Sequence, residues 1–129
     1  MYSTLDVAIA LGVDHRRLDN LIVRYCRDVV PAGQRGSSRK ISDKIVDRLA
    51  VALLLNRDLG TPFDLGWLLS EQIEAAKDGR VQFGALGTLE FDLPRLRAVV
   101  RGALADAVQD RPPVRRGRPV VNKNRGAPL

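Results

Sequence analysis

The sequence predicts a mainly helical fold with a short β-hairpin near its C-terminal end. Apolar residues recur at spacings of three and four in five separate segments, most of them preceded by a Ser or Asp able to cap a helix. Aromatic residues make up only 5% of a 129-residue chain whose apolar fraction is 45%, so the core is built from Leu, Val, Ile and Ala. The apolar period changes clearly to two at residues 80–91, where a hairpin is expected.

The first helix, residues 5–11, is announced by Ser3 and Asp6 in capping-box spacing and by Leu5, Ala8 and Ile9. Gly12 ends it, because glycine tolerates the left-handed conformation of a helix terminus. Asp14 can then cap a second helix, residues 15–27, with Leu18, Leu21, Ile22 and Tyr25 on one face and a polar, basic front. Helix, glycine turn and basic-fronted helix form the outline of a helix-turn-helix. Val29, Val30 and residues 39–41 are expected as short strands around a Gly/Ser/Arg loop at 32–38, making a small β-wing.

Ser42 caps a third helix through residue 56, apolar enough on several sides to be the centre of the core. After the break at 59–62, a fourth helix over 63–76 is predicted to bury Leu65, Leu68, Leu69, Ile73 and Ala76, with Trp67 to one side. In the hairpin, Val81 and Phe83 alternate with Gln82, and Leu89 and Phe91 with Glu90. Asp92 caps a fifth helix carrying Pro94 in its first turn, where a missing N–H does no harm. Its face of Leu93, Leu96, Val100, Ala103, Leu104 and Ala107 needs a cover. From Arg111 onward Pro, Gly, Arg, Asn and Lys dominate, a composition expected to be disordered in isolation. The organisation is therefore 1–79 for a winged helix-turn-helix domain, 80–109 for core completion or dimerisation, and 110–129 for a basic tail.

The net charge of +6 is unevenly placed. Residues 110–129 hold six Lys/Arg against one Asp, and residues 14–40 hold seven Lys/Arg against three Asp. Two basic zones around a nearly neutral body point to a polyanion, and double-stranded DNA comes ahead of a membrane because no apolar anchor accompanies either zone. The apolar runs are too short to span a bilayer, and the N-terminus lacks the basic leader of a signal peptide. The single cysteine, Cys26, excludes an intramolecular disulfide and a multi-cysteine zinc site, so a cytoplasmic protein is expected, nucleoid-associated if DNA is its partner. No phosphate-binding glycine loop or paired nucleophile is visible, so neither an enzyme nor a cofactor is expected.

The segment 7–13 (VAIALGV), Leu18, Pro31, residues 39–43 (RKISD), Val46, Leu49, and Leu59-Gly60 before Leu65 resemble the winged helix-turn-helix of the MerR family. The resemblance covers roughly residues 2–70 and implies a transcriptional regulator that acts as a homodimer. The pattern departs at Asp19, Asn20 and Leu21, where that family carries an arginine and two aromatics.

Helix 2 is expected to be the reading element, because a helix fits the major groove and its N-terminal half meets base edges, although the same polar residues would also serve simply to keep a surface helix soluble. His15, Arg16, Arg17, Asn20 and Arg24 are its candidate contacts, with Asp19 beside them. Arg35, Arg39 and Lys40 are candidates for phosphates or the minor groove from the wing. In the tail, Arg116-Gly117-Arg118-Pro119, preceded by Arg115, is similar to the core of AT-hook motifs, which lie in the narrow minor groove of AT-rich DNA. A generic basic tail and an idle one stay open beside that reading. So do other roles for the chain: a protein-interaction module, or an accessory factor in recombination or DNA organisation.

Overall fold

The computed structural model describes residues 1–31, 33 and 39–110, which form a mainly helical body with a small two-stranded antiparallel sheet. The order is α1 (Thr4–Leu11), α2 (His15–Tyr25), α3 (Asp43–Leu59), α4 (Phe63–Ala75), β1 (Arg80–Phe83), β2 (Gly87–Glu90) and α5 (Leu93–Asp110). Arg35 and the tail candidates Arg115, Arg116, Gly117, Arg118 and Pro119 lie outside the described residues.

The helix boundaries follow the local chemistry. The Ser3 hydroxyl accepts from the Asp6 N–H at 3.1 Å while the Asp6 carboxylate accepts from the Ser3 N–H at 3.3 Å, closing the capping box. Gly12 ends α1 at a φ of +68°. Asp14 accepts from the Arg17 N–H at 3.1 Å, Ser42 from the Ile45 N–H at 3.4 Å, and Asp92 from the Arg95 N–H at 3.1 Å.

The expected wing strand at Val29 and Val30 does not form, and α2 stops two residues short of position 27. Both valine N–H groups turn back to the Cys26 carbonyl, at 3.1 and 2.8 Å, and the turn drops Val30 into the core. Ile41 pairs with Tyr2, exchanging backbone hydrogen bonds of 2.9 and 2.8 Å. A buried Ile41 must satisfy its peptide groups, and the N-terminal segment supplies them.

Helix α3 runs through the middle of the body, as its all-round apolar character predicts. Val46, Leu49, Ala50 and Ala52 pack with Val7, Leu18, Ile22, Phe63, Val100 and Leu104. Its Val51 and Leu55 join Leu69, Ile73 and Leu93 in a second cluster, with Val81 and Leu89 of the hairpin against it.

The stripe predicted for α4 is rotated. Leu65 and Leu68 are exposed, and the buried face is Phe63, Gly66, Leu69, Ser70 and Ile73. Gly66 lies against α3 so closely that a Cβ there would meet the Ala52 carbonyl oxygen at 3.2 Å. A face containing Gly and Ser carries a weak apolar signal, which is why periodicity pointed to the leucines instead. Gly66→Ala is therefore expected to destabilise the protein despite alanine's helix propensity, because backbone of α3 must give way. Gly102→Ala, at an exposed position of α5 with nothing within 4 Å, is expected to gain about 0.5 to 1 kcal/mol. Urea unfolding of the two variants checks the opposite signs.

The apolar face of α5 is covered within the chain, by α1 and α3. Charge fixes its seating. Asp47 of α3, only 3% exposed, accepts two bonds from Arg101 at 2.9 and 3.0 Å and lies 3.6 Å from Arg97. Asp43 is 3.8 Å from Arg101, and Glu74 of α4 pairs with Arg97 at 3.1 Å. Two acids one turn apart on α3 thus face two arginines one turn apart on α5. Among the described residues no helix is long and apolar enough to cross a membrane.

Candidate nucleic-acid interface

Helix α2 has two contrasting faces. Leu18 and Ile22 are fully buried, against Val7 and Ala8 of α1, so α2 is held by its apolar side. The opposite side carries Arg16, Asn20, Val23 and Arg24, all exposed and spaced as one helical ridge. With Asp14, Arg17 and Leu21 they line a shallow concavity open to solvent.

The other candidates are distributed differently. His15 is exposed in the first turn, to one side of the ridge. The Arg17 guanidinium donates to the Asn56 Oδ1 at 3.1 Å, while Asn56 Nδ2 donates to the Thr61 carbonyl at 2.9 Å; this ties the second helix to the α3 to α4 turn. Arg39 is turned inward: it forms an ion pair with Asp19, its side chain is 19% exposed, and its Nε is buried without an acceptor. The expectation that Arg39 projects from a wing is corrected accordingly. A half-buried carboxylate on α2 attracts the arginine more effectively than solvent does. Lys40 stays exposed. The pairing also offsets the negative charge of Asp19 beside the ridge.

Two residues of this surface escaped the sequence reading. Val23 sits between Arg16 and Arg24 on the ridge, where a helical projection of residues 15–25 reveals it, and a valine can contact a thymine methyl. Arg27, exposed just past the helix, extends the positive end. The link between Asp19 and Arg39 spans 20 residues and carries no local sequence signal.

Other charged groups are committed to the interior. Arg48 lies over the Trp67 ring at 3.7 Å from its centroid and donates to the Ser70 hydroxyl and the Trp67 carbonyl at 3.1 and 3.0 Å. Burial lowers its pKa, partly offset by Glu71. Among the described residues no group of three or more His, Cys, Asp or Glu is placed to hold a metal ion.

Cys26 is 1% exposed, and burial pushes its thiol up to about 12. The folded state therefore favours the neutral thiol, and this contribution is complete below the unfolded value near 9 and lost as pH rises toward 12. The loss across that window is expected to reach about 4 kcal/mol at most. Denaturant unfolding of the parent and of Cys26→Ala from pH 8 to 12 checks this, the variant showing the flatter alkaline decline. Tyr2, raised by burial and by Asp43, leaves a residual slope of the same sign in both.

No protein-family model, curated protein or solved structure matches this chain, and the α2 face stands on its own geometry.

Proposed function

We propose that this protein is a sequence-specific double-stranded DNA-binding protein acting in transcription regulation, with a divergent MerR-like helix-turn-helix as its reading unit. The observation that carries the reading is the α2 ridge of Arg16, Asn20, Val23 and Arg24, exposed opposite the buried Leu18 and Ile22. An arginine can grip a guanine edge with two hydrogen bonds, an asparagine an adenine edge, and valine a thymine methyl, so the ridge offers a mixed code. Arg27 and Lys40 suit phosphates at either side. The tail, with six Lys/Arg, adds affinity through counterion release, and its Arg-Gly-Arg-Pro core suits an AT-rich minor groove.

Binding of the full chain to AT-rich, GC-rich and random genomic duplexes across a salt series tests the proposal. Selection of particular fragments, with log K falling steeply in log salt, is expected. Changing Arg116 and Arg118 together to Gln should reduce the slope by about 0.9 for each phosphate that is no longer neutralised, and leave fragment selection by α2 in place. Absence of DNA binding at low salt ends the proposal.

A second reading, as a protein-interaction module, is favoured by Leu65 and Leu68, 42% and 52% exposed one turn apart on α4. A Leu65→Lys, Leu68→Lys variant distinguishes the two: on the DNA reading its fragment selection is unchanged.

A further inference from the structure

Away from the α2 ridge, a groove of about 300 Å³ opens between the end of α1, the C-terminal half of α3 and the middle of α5. Its walls are Leu11 and Val13, Leu53 and Leu54, and Leu96 and Val99, while Val100 and Ala50 close its floor. Its polar groups are Arg17, Asn56 and Arg57, two of them cationic, and none of the lining residues is acidic. Asp58 takes the Arg57 Nε at 2.9 Å, and Asn56 Oδ1 takes one terminal nitrogen of Arg17 at 3.1 Å. A guanidinium has five N–H donors, so each arginine keeps donors for another acceptor.

We propose that this groove binds a small amphipathic carboxylate, its apolar body against the leucines and valines and its carboxylate on Arg17 and Arg57. The volume lies at the small end of ligand sites, and an apolar cleft with a few convergent polar groups is the usual form of such a site. Charge complementarity selects the head group: no acid lines the groove, Arg17 is engaged by a neutral amide, and Arg57, held by Asp58 through Nε, keeps its terminal nitrogens, so the pair favours an anion, and a carboxylate matches the guanidinium fork. A second copy of the chain is a weaker occupant, since a stable dimer interface needs about 800 Å² from each partner and this cleft is narrow. The proposal deepens the DNA-binding reading only in that Arg17 belongs to α2, and its test needs no DNA, so either can fail without the other.

The test uses the full chain with three probes of one apolar length: octanoate, octanol and octylammonium, followed by methyl resonances of Leu53, Leu96 and Val99. Octanoate is expected to shift these methyls with a Kd in roughly the millimolar to high-micromolar range, modest as befits a ligand of few atoms. Octylammonium should bind at least about tenfold more weakly, with octanol between them, and Arg57→Gln should weaken octanoate alone. Arg57 is largely exposed, so this variant keeps the fold. Equal binding of the three probes, shifts confined to other methyls, or no shift below the micelle concentration overturns the proposal. So do shifts of the same methyls that grow with protein concentration without ligand, which assign the groove to a second copy.

Discussion

Arg16→Ala and Asn20→Ala are each expected to remove about 1 to 3 kcal/mol of discrimination between the preferred duplex and a scrambled one. Both residues stand exposed on the α2 ridge, so the loss falls on binding, and stability should move by no more than about 0.5 kcal/mol. Arg24, nearer the end of the helix, is expected to behave as a phosphate contact: Arg24→Gln lowers affinity for all sequences and the salt slope by about 0.9, leaving preference unchanged. Arg17→Ala should cost less discrimination than Arg16→Ala, because its guanidinium is engaged by Asn56 at 3.1 Å. The measurement is competition binding of the full chain against both duplexes at two salt concentrations. Unaltered preference in both Arg16→Ala and Asn20→Ala would remove α2 as the reading element.

Arg101→Ala is expected to cost about 2 to 4 kcal/mol of folding free energy, read as a shift of the urea midpoint at neutral pH. The reason lies in the partner it leaves behind. Asp47 is 3% exposed and, among the described residues, would keep only Arg97, 3.6 Å away and itself shared with Glu74 at 3.1 Å. Arg101 is itself about one-third exposed, so the cost falls at the lower side of what a fully buried pair would show. Replacing Asp47 and Arg101 together by Leu should restore most of the loss, because it abandons no buried charge. A strongly non-additive cycle is thus the expected signature. A change within about 0.5 kcal/mol for Arg101→Ala would show that the pair seats α5 without stabilising it.

Much of the architecture was legible in local chemistry. Ser3 with Asp6, Asp14, Ser42 and Asp92 marked four helix starts, and each accepts the backbone N–H expected of a cap. Gly12 marked an end, because a left-handed residue there needs no Cβ. The hairpin followed from its alternation, and Val81 pairs with Leu89 as that alternation requires. Where apolar pattern and steric need diverge, packing prevails: α4 buries Gly66 and Ser70 and exposes Leu65 and Leu68 because close approach to Ala52 outweighs side-chain hydrophobicity. Val29 and Val30 carry a strand composition, yet two hydrogen bonds to Cys26 settled them into a turn.

For the candidate interface, the sequence by itself determined which residues ride on α2, since helical periodicity assigns Leu18 and Ile22 inward and Arg16, Asn20 and Arg24 outward. It also determined the uneven charge, which is a matter of composition. Tertiary structure alone decided that Arg39 turns inward to Asp19, that Arg17 leans on Asn56, and that α5 is seated by Arg97 and Arg101 on Asp47. Each of these pairs joins side chains between 20 and 54 residues apart. A periodic pattern constrains neighbours within one element, whereas the choice among distant charges depends on which helix faces meet and how far water is excluded between them.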